Sequence, residues 1–146
     1  MDRKFMLEAI KLAKKAAEEG EVPVGAVVVS NGEIIARGRN RRETKKNAIM
    51  HAEIEAIDNA CRKLGGWRLS GCDLYVTLEP CLMCAGAIIN SRIANVYFGA
   101  YDLKGGAMGS KIDASVMGLN HKFSVYGGIM EDECSLLLGE FFRSRR

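Results

Sequence analysis

Apolar residues at Phe5, Ala9, Leu12, Ala13 and Ala16 recur every three or four positions with lysines and glutamates between them. That stripe predicts an amphipathic helix, with Asp2 placed to cap it and Gly20 to stop it. The period then disappears. Residues 22–29 form a continuous apolar run, followed by Asn31-Gly32 and by Ile34-Ile35-Ala36. Asn-Gly between two β-rich runs predicts a tight hairpin. Polar residues over 40–47 predict a loop. Helical spacing returns over 51–64, with Ile54, Ile57, Ala60, Cys61 and Leu64 on one face and Gly65-Gly66 as its stop. Residues 74–78 are apolar and β-branched enough for a buried strand. They lead through Glu79-Pro80 into a helix over 81–91, with proline just before its first turn. Val96-Tyr97-Phe98 is a second buried strand, 102–109 a glycine-rich loop, 123–126 a weak strand and 131–145 a closing helix. Helices that alternate with buried strands after an initial hairpin predict an α/β fold. The expected form is a mixed sheet covered on both faces, a three-layer α/β/α domain.

Length and composition narrow this further. A chain of 146 residues, 48% hydrophobic, is expected to form one domain over 1–146 and can bury about 68–70% of its unfolded surface. The last six residues, Phe-Phe-Arg-Ser-Arg-Arg, supply three of the 21 basic residues. Without them the charges balance, so the excess of +3 belongs to the tail. Asp2, Arg3, Lys4, Glu8 and Lys11 exclude a signal-peptide core from the opening helix. No apolar run approaches the ~18 residues of a membrane span. Five cysteines, an odd number, then read as reduced thiols or metal ligands in a soluble, cytoplasmic protein with no membrane partner.

Cys81 and Cys84 stand three apart at a helix start, where both sulfurs reach one face and the helix terminus favours thiolate. By themselves they suit a thioredoxin-like redox pair as well as a metal site. His51, one of only two histidines, changes the balance. It opens the helix before the strand that leads to the cysteines. Strand C-termini and the N-termini of following helices converge at one edge of such a sheet. One imidazole and two thiolates are three ligands for tetrahedral Zn²⁺, leaving a fourth position open to water as catalytic sites do. Cys61, Cys72, Cys134 or His121 could supply a fourth protein ligand, but Cys61 and Cys134 fall among apolar helical positions and suit burial. Glu53 is placed to move protons. Residues two apart in a regular helix diverge, so it shares a pocket with His51 only if His51 lies at or before the first turn.

His51-Ala52-Glu53 followed about 30 residues later by Pro80-Cys81-Leu82-Met83-Cys84 is the signature of the zinc nucleobase deaminases. Around it, nearly the whole chain resembles the bacterial tRNA-specific adenosine deaminases. The matching stretches are residues 21–27, Asn40, 51–53, 74–87, 91–93, 99–100, 104–106 and Phe141-Phe142-Arg143. The resemblance implies a five-stranded cytidine-deaminase-like fold, a homodimer, one Zn²⁺ per chain, and conversion of adenosine to inosine at the wobble position of a tRNA anticodon loop. It implies zinc ligation by His51, Cys81 and Cys84, and proton transfer by Glu53. It further implies nucleoside binding by Asn40, loop or ribose contacts by Asp102 and Lys104, and packing of Phe142 near a flanking nucleotide. Arg143, Arg145 and Arg146 match the family's basic tail. Many members carry proline after the matching asparagine and Asp-Pro before the histidine, where this chain has Arg41-Arg42-Glu43-Thr44 and Asn47-Ala48-Ile49-Met50.

Chemistry supports an RNA substrate too. A deaminase needs a base splayed out of its stack, and cations with aromatic rings, as in the tail, hold single-stranded loops. Two other functions remain open at this point. One is deamination of a free base or nucleoside of guanine or cytosine type. The other is a thiol-redox or structural zinc module without chemistry.

Overall fold

The computed structural model describes residues 1–145. The chain runs α1 (Arg3–Glu18), β1 (Gly25–Ser30), β2 (Glu33–Arg39), α2 (Ala52–Leu64), β3 (Asp73–Leu78), α3 (Leu82–Ser91) and β4 (Asn95–Ala100). A short 3-10 turn at Ala114–Val116, β5 (Ser124–Tyr126) and α4 (Glu131–Ser144) follow. Five strands form one sheet in the order β2-β1-β3-β4-β5. β1 is antiparallel to β2 and β3, whereas β3, β4 and β5 run parallel, which gives the expected mixed sheet.

Successive strand residues point to opposite faces. Ala26, Val28, Leu74, Val76, Val96 and Phe98 pack with α2 and α3. Val27, Val29, Tyr75 and Tyr97 pack with α1 and α4. With both faces covered, the inner strands have no polar positions to alternate, which is why they read as apolar runs. Tyr75, Tyr97 and Tyr126 occupy matching register positions and stack at 4.6 and 5.0 Å across three strands.

One glycine sets the height of α2 over the sheet. A Cβ on Gly38 would stand 2.4 Å from the Ala52 carbonyl oxygen and 2.5 Å from the Ala56 nitrogen. Only a bare α-carbon lets the first turn of α2, which carries Glu53, approach so closely.

Most boundaries shift by a residue or two from expectation, and three of the shifts have a clear physical cause. β1 starts at Gly25 rather than 22, because Pro23 has no N–H for a ladder and the Val24 N–H turns back to the Val22 carbonyl at 2.9 Å. β2 extends to Arg39 because pairing with β1 continues through polar positions that carry no apolar signal. Cys81 lies outside α3 as its N-cap rather than in its first turn. Among the described residues, no helix is long and apolar enough to cross a membrane.

Candidate active site

The site forms where the ends of β3 and β4 meet the starts of α2 and α3. His51 is the N-cap of α2 and Cys81 the N-cap of α3, both on extended backbone. An N-cap side chain ordinarily binds the free N–H groups of the first turn. Neither does so here, and the two side chains meet each other instead. Because His51 precedes the first regular turn, it and Glu53 line the same pocket. The condition set by their spacing is met.

His51 Nδ1 lies 3.7 Å from Cys81 Sγ and 3.6 Å from Cys84 Sγ, and the three donor atoms fall within 4.8 Å of one another. Tetrahedral bonds of about 2.3 Å to sulfur and about 2.0–2.1 Å to nitrogen separate such donors by about 3.5 Å. The donor set therefore fits zinc in both identity and spacing. Among the described residues no fourth His, Cys, Asp or Glu joins the group. Cys61 faces the Trp67 carbonyl at 3.8 Å, while Cys72 and Cys134 are buried in the two cores. His121 bonds the Ile93 carbonyl oxygen at 2.7 Å, near the opposite edge of the sheet.

The charges are arranged for a cation. A hydrogen bond from Cys84 brings the Cys81 thiol down to about 3, against the effect of burial and with help from His51. The same bond, together with burial, raises the Cys84 thiol. Hydrogen bonding to Cys81 also raises the His51 imidazole, with burial opposing. The opposed shifts favour one shared proton on the two thiols, which a bound metal would displace. Glu53 is 4% exposed, and burial pushes its carboxyl up to about 7. A cation on the three donors opposes that rise, leaving a carboxyl able to gain and lose a proton near neutrality.

A pocket of about 150 Å³ opens beside these groups. Val22, Val24 and Leu78 give it an apolar wall, and Asn40, Arg42 and Asp102 give it polar edges. Asn40 is fixed there: its Nδ2 donates to the Val22 carbonyl at 3.3 Å and its Oδ1 accepts from the Arg42 N–H at 3.2 Å. One amide hydrogen and one lone pair remain for a ligand. Asp102 Oδ1 accepts from the N–H groups of Lys104 and Gly105, both at 3.1 Å.

His51, Glu53, Cys81, Asn40 and Asp102 thus line one pocket, with Cys84 buried against His51 and Cys81. Lys104 joins only through its backbone, and its side chain is exposed outside the lining. Phe142 is half exposed and packs edge-on against Phe141, outside the pocket. Arg143 is exposed on α4, and the Arg145 guanidinium stacks over Phe141 at 4.4 Å. The Arg145 guanidinium also reaches Gly20, where an added Cβ would lie 3.5 Å from it, and Gly20 stands two positions before the pocket residue Val22 in the chain. Arg146 lies outside the described residues.

Several residues of the site had no role expected from sequence, among them the wall residues Val22, Val24 and Leu78. Arg42 lines the pocket. Glu21 and Glu79, 1% and 2% exposed, each bind backbone N–H groups of a bordering loop. Glu79 ends an apolar strand, whereas Glu21 follows Glu18-Glu19-Gly20, and neither position by itself marks a loop clamp.

Residues 1–100 match the family model for the cytidine and deoxycytidylate deaminase zinc-binding region. The tRNA-specific adenosine deaminase of Bacillus subtilis (strain 168) is 55% identical over 146 residues, covering 99% of this chain and 91% of that protein. That of Agrobacterium fabrum is 48% identical over 143 residues, covering 97% and 94%. A solved structure from a study of A-to-I editing by tRNA:A34 deaminases superposes with a TM-score of 0.90 at 46% identity, covering 94% of this chain and all of that one. A guanine deaminase from Nitrosomonas europaea superposes at 0.86 with 25% identity, covering 97% and 84%. The five-stranded sheet, the histidine and two cysteines at helix starts, and this identity along almost the full chain point one way: the chain belongs to the tRNA-specific adenosine deaminases, within the zinc-binding cytidine and deoxycytidylate deaminase family.

Proposed function

We propose that the chain, acting as one domain over residues 1–146, hydrolyses the wobble adenosine of a tRNA anticodon loop to inosine in the cytoplasm, as a homodimer. The observation that carries this is the open-sided trio His51, Cys81 and Cys84 beside buried Glu53, in a chain 55% identical to a tRNA-specific adenosine deaminase.

Zinc on those three donors supplies Lewis acidity that lowers the pKa of water to about 7. Glu53 takes a proton from the attacking water and delivers one to N1 as oxygen bonds to C6. It then passes a proton to the departing amine, so that adenosine and water become inosine and ammonia. The wall of Val22, Val24 and Leu78 shields the base from solvent, and Asn40 hydrogen-bonds its edge or ribose. Asp102 and the backbone of Lys104 meet the sugar-phosphate of the loop. Phe142 and the tail arginines, Arg143 and Arg145 with Arg146 beyond them, stack on and neutralise flanking nucleotides. For the homodimer, support comes from exposed apolar side chains, Leu82 at the start of α3 and Leu103, Val116, Met117 and Leu119 between β4 and β5.

A free base is the second reading, because a guanine deaminase shares the fold. Turnover on a panel of anticodon stem-loops, measured beside free guanine, cytosine and adenosine, separates the two. The proposal expects inosine only in the RNA. Efficient loss of ammonia from a free base, with the stem-loops untouched, overturns it.

A further inference from the structure

The parallel strands have a second end, and it carries a basic cavity. A hollow of about 510 Å³ lies where β3, β4 and β5 begin, lined by Arg68, Arg92, His121 and Lys122 and by backbone at Gly71 and Ser124. No acidic residue lines it, and none of its three cations makes an ion pair among the described residues. In a chain whose charge balances outside its tail, this is a local excess of three positive charges.

Its walls are held in place without using up their donors. The indole of Trp67 carries the Arg68 guanidinium at 4.2 Å and that of Arg92 at 5.6 Å. Arg92 is also anchored through Nη1, which donates to the Ile89 carbonyl oxygen at 2.6 Å. Its Nε and Nη2 are left for a ligand, and planar guanidinium forks match phosphate oxygens. His121 is tied to the Ile93 carbonyl oxygen and lies parallel to Phe123. Trp67 itself is half exposed at the rim.

We propose that this cavity binds the phosphodiester backbone of the RNA substrate outside the target loop. The inference rests on the tRNA reading above. Arginines stacked on Trp67 with no acid among them favour phosphate over any neutral ligand, and an exposed aromatic beside cations is the usual setting for RNA backbone. The six residues of β3 span about 17 Å at ~3.3 Å each, so the cavity stands that far or more from the catalytic pocket. A nucleotide flanking the reacting base is too short to span that distance, so the ligand proposed here is RNA beyond the target loop.

The test uses Arg68→Ala/Lys122→Ala and, separately, Lys122→Glu, both at exposed positions. Arg92 stays intact because it holds the end of α3. Inosine formation is measured on full-length tRNA and on a minimal anticodon hairpin over a range of salt. The double variant is expected to raise KM for full-length tRNA about ten-fold, with kcat unchanged and hairpin kinetics unmoved. The salt slope of its log kcat/KM falls by about 1.5, as for two lost phosphate contacts. Unchanged kinetics on full-length tRNA, or an equal loss on the hairpin, overturns the assignment. Failure of the unsubstituted protein on both RNAs would instead remove the tRNA reading itself.

Discussion

The Glu79 carboxylate binds Ser110 twice, accepting from its backbone N–H at 3.0 Å and from its hydroxyl. The N–H groups of Asp102 and Met108 donate to the same carboxylate, each at 3.0 Å. Gly106 lies so close that an added Cβ would be 2.3 Å from it. One buried acid thus gathers the loop after β4 and fixes Asp102 at the pocket. An amide in its place turns donors toward donors. Glu79→Gln is expected to lower kcat/KM on RNA by about ten-fold or more while zinc content stays at one per chain. Each lost charged hydrogen bond costs about 1.5–3 kcal/mol. Parallel kinetics and metal analysis check this, and loss of zinc in step with activity would point to collapse of the metal site instead.

Glu21 does the same for the other bordering loop, accepting from the N–H groups of Glu43 at 3.0 Å and Thr44 at 2.6 Å. Burial opposes its ionisation, but these bonds and that of the Thr44 hydroxyl outweigh burial and hold its pKa below the ordinary value. The folded chain therefore binds this proton less readily than the unfolded chain. The stabilisation is complete above the unfolded value of about 4.3 and is lost as pH falls through the folded one. Urea midpoints from pH 7 to 3 should decline less steeply in Glu21→Gln than in the unsubstituted protein. Parallel curves would show that Glu21 contributes no such term.

How far the sequence carried these conclusions depended on the kind of interaction. The layers, and the meeting of His51 with Cys81 and Cys84, were legible because periodicity and strand-helix order determine which ends share a sheet edge. Glu53 was legible only conditionally, on His51 falling outside the regular helix, and the cap geometry met that condition. The clamps of Glu21 and Glu79 were not legible, since each joins residues more than twenty apart through backbone N–H groups that have no side-chain signature. The basic cavity was hidden for the same reason. Arg68, Arg92 and Lys122 come from three separate connections that only the parallel strands bring together.

Glu53→Gln keeps the shape of the side chain and removes the proton transfer proposed for it. Inosine formation is expected to fall by about 10²–10⁴-fold with zinc still bound. A variant that retains most of its turnover would assign the proton shuttle to another group.

The thiol pair sets the proton balance of metal uptake. Hydrogen bonding from Cys84 brings the Cys81 thiol down to about 3, favouring thiolate there, whereas the same contact and burial raise Cys84 and favour its protonated form. Zinc binding to metal-free protein at pH 7 should release at least one proton per ion, from Cys84, with any protonated His51 adding to it. Calorimetry in buffers of different ionisation enthalpy measures this. Uptake with no proton released would contradict the shared-proton arrangement.

X-ray absorption at the zinc edge of the purified protein reports the coordination shell itself. Two sulfurs at about 2.3 Å, one nitrogen at about 2.0–2.1 Å and one exchangeable oxygen are expected. A third sulfur or a second histidine in place of that oxygen would close the position that water must occupy, and with it the hydrolytic role assigned to Glu53.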